Sequence, residues 1–199
     1  LNVSVISTNS VSYGVYASSA YVTISSVNVD AGGNITQAGL RISSWTAVSY
    51  SSVTVFAAHG IVVDGTFNNV TYTNSVTSGT AVNALFVNGA SSNTFSVLLA
   101  SHPAGVAAKI TGGGYHTISQ RVVASNDGVA ALTITSNASW NQVIGSVISN
   151  SSGAALGISA NAKNNTISLS TMSIHSPNYY ALNVNNASSN TIVGSYLVN

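Results

Sequence analysis

The side chains able to do acid, base or metal chemistry are few in these 199 residues: three aspartates (Asp30, Asp64, Asp127), no glutamate, four histidines (His59, His102, His116, His175) and no cysteine. Cleaving a glycosidic bond takes two carboxyl groups roughly 5 to 10 Å apart. A Ca²⁺ site takes several oxygen ligands, which lone aspartates do not supply. Without cysteine there is neither a thiolate metal site nor a disulfide framework. His102-Pro103 and His175-Ser176-Pro177 are turn-type sequences far apart in the chain, and ligand histidines need close neighbours and oriented partners. The histidines therefore read as turn or ladder residues, and the sequence predicts no catalytic residue, no metal and no cofactor.

What positions the remaining side chains is a repeat. A small residue followed by aliphatic-x-aliphatic recurs eight times, as in Gly39-Leu40-Arg41-Ile42, Ala84-Leu85-Phe86-Val87, Ala131-Leu132-Thr133-Ile134 and Ala181-Leu182-Asn183-Val184. The first aliphatic falls at 15, 40, 61, 85, 108, 132, 156 and 182, so the period is about 24. A second phrase lies between these, in Ser92-Asn93-Thr94-Phe95-Ser96, Trp140-Asn141-Gln142-Val143, Asn164-Asn165-Thr166-Ile167-Ser168 and Ser189-Asn190-Thr191-Ile192. Within both phrases polar and apolar residues alternate and β-branched residues dominate, which predicts short strands with one buried face. Ser, Asn, Asp and Gly fill the joints.

Two or three such strands per turn, each about 4.8 Å from its counterpart in the next turn, make a solenoid. N-T-I-S followed by a turn and A-L-x-I resembles the parallel β-helix repeat of the pectate-lyase-like superfamily over nearly the whole chain. That resemblance implies right-handed coiling. The predicted fold is thus all-β: a right-handed parallel β-helix of about eight to nine coils, forming one domain over residues 1–199 that is either whole or a piece of a longer solenoid. Enzymes of that superfamily combine a cluster of Ca²⁺-binding acids with a basic residue, and this sequence departs from them at the acids.

Equivalent positions in successive coils lie above one another, so the phrases define columns. Phe95, Ile118, Val143, Ile167 and Ile192 are expected along one inner wall, and Leu132, Ile134, Leu156, Ile158, Leu182 and Val184 along another. Asn93, Asn141, Asn165 and Asn190, with His116 in the same slot, read as a structural ladder in which a side-chain amide bonds the turn of the neighbouring coil. Outward pairs flank the apolar residue of the second phrase. Ser52 with Thr54, Asn69 with Thr71, Thr94 with Ser96, Thr117 with Ser119 and Thr166 with Ser168 are expected as a two-column hydroxyl ladder, broken at Gln142 and Ile144 and weakened at Val193. Such a ladder resembles the ice-binding surface of some antifreeze proteins, and equally suits ordinary solvent-facing strands. Tyr16 and Phe86 take outward slots, and Tyr179-Tyr180 sits in a turn, where an aromatic ring can stack on a sugar or a partner.

Composition sets several partners aside. Only 4% of residues are charged and the net charge is +1, so no basic stripe exists to neutralise phosphates, and nucleic acid is not expected. No apolar run approaches the ~20 residues of a membrane-spanning helix. With 45% hydrophobic residues and almost no net charge, the chain is not of the disordered class. Leu1 starts and Asn199 ends in strand-like sequence with no polar cap, which predicts self-association through the ends or a longer solenoid. Seven Asn-x-Ser/Thr sequons, at Asn2, Asn34, Asn69, Asn137, Asn150, Asn164 and Asn186, are compatible with an exported glycoprotein. The leading expectation is a non-catalytic extracellular or cell-surface β-helix with a structural, adhesive or self-assembling role. The alternatives are a carbohydrate-binding or carbohydrate-cleaving protein and an ice-binding protein, and a groove collecting Asp, Arg or His would favour the carbohydrate reading.

Overall fold

The computed structural model describes residues 2–4, 10–126 and 128–199; Asp127 lies outside them. Every described element is a strand, and every strand pairing is parallel, in register with the next coil about 24 positions on apart from a shift between Val11 and Tyr13. Each coil contributes three strands. Column I holds the second phrase, as in Thr117–Ser119, Gln142–Ile144 and Thr166–Ser168. Column II follows after one corner, as in Val122–Ser125, Val147–Asn150 and Thr171–Ile174. Column III carries the first phrase, as in Ala108–Thr111, Leu132–Thr135 and Leu156–Ser159. Two long strands, Asn69–Thr77 and Thr94–His102, run through the corner and join columns I and II into one 15-stranded sheet; column III is a separate sheet of eight strands. The chain is a parallel β-solenoid.

The alternating pattern decides which side chains face in. Phe95, Ile118, Val143 and Ile167 stack in register in column I and are fully buried. In column III both apolar residues of the phrase point inward, so Leu85/Val87, Ala108/Ile110, Leu132/Ile134 and Leu156/Ile158 form a double row. Each fully buried aliphatic contributes roughly 1.5–3 kcal/mol over an exposed one.

Corners are closed by hydrogen bonds between coils. Ahead of column I each backbone N–H donates to a side chain of the next coil: Thr46 to Asn68 Oδ1 (2.7 Å), Asn68 to Asn93 Oδ1 (2.7 Å), Asn93 to His116 Nδ1 (3.2 Å), His116 to Asn141 Oδ1 (3.0 Å), Asn141 to Asn165 Oδ1 (2.9 Å) and Asn165 to Asn190 Oδ1 (3.0 Å). The amide nitrogens of Asn93, Asn165 and Asn190 reach turn carbonyls at Gly65, Ala138 and Ala162. His116 copies an asparagine on its accepting side, since Nδ1 accepts as Oδ1 does, while its buried Nε2 has no hydrogen-bond partner among the described residues.

Between columns I and II a second, hydroxyl ladder runs through Ser51, Thr73, Ser146, Ser170 and Ser195. Each donates to the carbonyl two residues earlier, and Ser51, Ser170 and Ser195 also accept an N–H from the coil before. Arg121 occupies one rung of this ladder.

Candidate functional site

Outward slots are not constrained by the ladders, and in column III they differ from coil to coil. Tyr16, Arg41, Val62, Phe86, Lys109, Thr133, Gly157 and Asn183 stand in one line along the outer face. Loops between columns II and III rise beside this line and make it a cleft. Two basins meet at Val82, one of about 300 Å³ around Arg41 and one of about 900 Å³ running past Lys109 to Asn183 and Asn185.

The smaller basin gathers ionisable groups. Arg41 Nε donates to Asp64 Oδ2 at 2.5 Å, and Nη1 donates to the Tyr13 hydroxyl, which donates in turn to Gln37 Oε1 at 2.6 Å. The guanidinium also lies over the rings of Tyr13 and Tyr16, 5.3 and 5.7 Å from their centroids. Asn88 Nδ2 reaches the other Asp64 oxygen at 3.4 Å. One coil on, His59 stacks on Phe86 with centroids 4.9 Å apart, and its Nδ1 accepts the Asn83 N–H at 2.9 Å, which leaves the ring proton on Nε2. Burial pushes the His59 pKa down, with Lys109 adding and Asn83 and Asp64 opposing, so the imidazole is neutral at neutral pH.

The larger basin is neutral apart from Lys109. Thr133, Asn183, Asn185 and Ser159 offer hydroxyls and amides, while Tyr179 and Tyr180 stand exposed at the far wall. Gly157 lowers the floor: a Cβ there would meet the Ala130 Cβ at 3.1 Å.

Buried polar residues at the end of column II hold the loop wall. Thr77 Oγ1 donates to the Ala58 carbonyl (2.8 Å) and Ser125 Oγ to Gly105 (2.6 Å). His102 Nδ1 accepts the Ala104 N–H (3.1 Å), so Nε2 carries the proton and donates to Gly79 (2.9 Å). Asn150 Nδ2 binds the carbonyls of Val129 (2.5 Å) and Ala154 (2.9 Å), and its oxygen takes the Ser152 N–H (3.1 Å). Asn150, 1% exposed, is therefore no glycan acceptor in the folded chain.

No family model matches this chain, and no curated protein matches it.

The expected hydroxyl ladder is in part where the sequence put it. Asn69, Thr94, Thr117, Gln142, Thr166 and Thr191 share one row of column I, and Thr71, Ser96, Ser119, Ile144, Ser168 and Val193 the other. Ser52 and Thr54 do not belong to it; they pair with Asn28, Asp30, Asn74 and Val76 in column II, and column I of their coil is Ala47–Ser49. The two columns repeat the same polar-apolar-polar phrase on either side of one corner, so the phrase alone does not say which column a segment joins. The column I face is also rimmed by exposed side chains, with Tyr115 and Trp140 at one corner and Tyr72, Val97 and Leu169 at the other.

Sequence reading missed the Arg41, Asp64 and His59 cluster because it compared only the carboxylates with one another. Arg41 and Asp64 are 23 residues apart, one period less one, and adding the period to each charged residue would have brought them together. Of the other described aspartate, Asp30, the side chain is exposed on column II. His175 is exposed in a turn. Among the described residues no three His, Cys, Asp or Glu side chains converge as a metal site. No described helix is long and apolar enough to cross a membrane.

Proposed function

We propose that this solenoid is a non-catalytic adhesive element of the cell surface or extracellular space, and that it holds a carbohydrate chain along the cleft of column III. One observation carries the reading: in a chain with so few charges, Arg41, Asp64, His59 and Lys109 share one elongated cleft with Tyr13, Phe86 and Tyr180. Clefts that fix a ligand combine apolar or aromatic walls with a few convergent polar groups. Here the outward slots recur once per coil, about every 4.8 Å, which suits a ligand that is itself a chain. The likeness of the repeat to the pectate-lyase-like superfamily supports a saccharide ligand. Binding rather than cleavage is favoured because Asp64 is committed to Arg41 and Asp30 faces outward from another column, which leaves no described pair of carboxyls for acid and base.

The test is calorimetric titration of the purified chain with neutral and uronic-acid oligosaccharides, repeated with Lys109→Ala and Tyr180→Ala. Binding that falls tenfold or more in both variants supports the reading. Binding that both variants leave untouched, or release of shorter sugars from the ligand, overturns it.

A further inference from the structure

A second line of exposed side chains occupies the corner between columns III and I. Tyr21, Trp45, Phe67, Tyr115 and Trp140 all adopt left-handed backbone, with φ between 59° and 61°. That conformation disfavours any residue with a Cβ, and glycine or asparagine is the usual occupant. Other coils put Ser92, Asn164 and Ser189 at the same corner. The five aromatic side chains are nonetheless 46–79% exposed. Core packing does not ask for them.

Their rings stack along the solenoid. Tyr21 lies 5.6 Å from Trp45, Trp45 4.4 Å from Phe67, and Tyr115 6.3 Å from Trp140, with planes within 24° of parallel. Faces therefore look up and down the axis, and one coil interrupts the series at Ser92. Backbone bonds keep the corner in step there, from Phe67 N–H to the Ser91 carbonyl (3.3 Å) and from Ser92 N–H to Gly114 (2.9 Å). Two coil rises of ~4.8 Å leave about 9.6 Å between the Phe67 and Tyr115 planes. That is room for one ring, about 4.8 Å from each neighbour.

We propose that the gap over Ser92 is a binding site for a single pyranose ring, sandwiched between Phe67 and Tyr115. A chair is thicker than an aromatic ring and carries hydroxyls around its rim. Ser91 and Ser92 lie at the base of the gap, and Asn69, Thr94 and Thr117, two residues on in register, lie along its side. Contact on both faces requires C–H groups on both faces, so the ring selected is one whose hydroxyls are all equatorial, the β-gluco configuration. An axial hydroxyl would be stripped of water against an aromatic face, a loss of roughly tenfold or more in affinity. The site uses no residue of the column III cleft and does not depend on what that cleft binds.

The experiment is a ligand-observed NMR titration of the full chain with methyl β-D-glucopyranoside, against methyl β-D-galactopyranoside, which differs by one axial hydroxyl. The glucoside is expected to saturate with a dissociation constant on the order of 1–10 mM, in line with its size, and the galactoside to bind at least tenfold more weakly. Ser92→Trp fills the gap, and the corner already carries Trp45 and Trp140 in the same conformation, so this variant is expected to fold and to lose binding. Tyr115→Ser places at this corner the residue found at Ser92 and Ser189 and removes one face of the sandwich without filling it; binding falls at least tenfold. Ser92 and Tyr115 line neither basin of the column III cleft, so loss of glucoside binding in these two variants assigns it to the gap. Equal affinity for the two sugars, absence of saturable binding, or glucoside affinity retained in Ser92→Trp or Tyr115→Ser overturns the proposal.

Discussion

Replacing Arg121 with methionine is expected to stabilise the protein. The guanidinium is 1% exposed, and none of Nε, Nη1 and Nη2 has a hydrogen-bond partner among the described residues. Burial alone pushes its pKa down from 12.5 to about 9. At 1.36 kcal/mol per unit, that displacement corresponds to a cost of about 5 kcal/mol for holding the charged group in the core. The Phe95 ring, 5.9 Å from the guanidinium carbon, returns about 2 kcal/mol of it in a desolvated setting. Methionine keeps the unbranched stem and drops the charge, and Leu98, on the same rung one coil earlier, shows that this slot takes a fully buried apolar side chain. Arg121→Met should therefore raise the unfolding free energy by about 3 kcal/mol. Urea unfolding followed by circular dichroism at pH 7 reads it as a higher midpoint with an unchanged slope.

The same argument fixes a pH signature. Below about pH 9 Arg121 is charged in both the folded and the unfolded chain, so the penalty is full and constant. Above that value the folded state releases the proton first, the unfolded state then holds more protons, and wild-type stability rises relative to the variant. The gap between the two proteins should thus narrow between pH 9 and 10.5. A variant no more stable than wild type at pH 7, or a gap that widens with alkali, refutes the idea that this guanidinium is buried without a counterpart.

His116 is fully buried and neutral, and burial pushes its pKa down to about 4. The unfolded chain binds the proton first as pH falls, so wild type should lose about 3 kcal/mol between pH 6.5 and 4 relative to His116→Asn, which keeps the ladder; parallel acid-unfolding curves for the two proteins contradict this. Asn150→Ala strands the Val129 and Ala154 carbonyls, costing about 3 kcal/mol, and hydrogen exchange should speed up first in segments 128–131 and 151–155; uniform acceleration along the chain would count against a role in holding the wall. Gly60→Ala puts a Cβ 2.0 Å from Ser75 Oγ and 2.5 Å from the Ala84 carbonyl, so a loss of roughly 1–3 kcal/mol is expected from overpacking, whereas Gly157→Ala should leave the melting temperature nearly unchanged while weakening ligand binding in the cleft.

What the sequence made legible is what repeats in type. Aliphatic-x-aliphatic recurs because the inner rows of column III accept only apolar residues, so the period and the stacks of Phe95 with Ile118 and Leu132 with Leu156 follow from counting. The asparagine ladder was visible for the same reason, although Asn68 and Thr46 extend it. The wall ladder was not: Thr77, His102, Ser125 and Asn150 do one job with four chemistries, and a search for similar letters passes over them. The corner aromatics were hidden in another way. Tyr21, Trp45, Phe67, Tyr115 and Trp140 keep the period, but left-handed backbone disfavours bulky residues, so nothing in the local sequence marks them as corner residues.

These two blind spots share a cause that also bears on function. A solenoid fixes its inner positions by stacking each coil on its neighbours, so inner residues converge on a few solutions, while each outer slot is answerable only to solvent or ligand. Column I answers mostly with threonine and serine, interrupted at Asn69, Gln142, Ile144 and Val193, the background of a face under little demand. Column III answers differently in every coil, passing from Tyr16 and Arg41 through Phe86 and Lys109 to Gly157 and Asn183. A face that changes step by step along a regular scaffold gives a bound chain a direction, with its charged contacts at one end and its amide contacts, beside Tyr179 and Tyr180, at the other. Reversing the ligand in the cleft would set its groups against the wrong coils, and that is how a uniform fold with few charges can be selective.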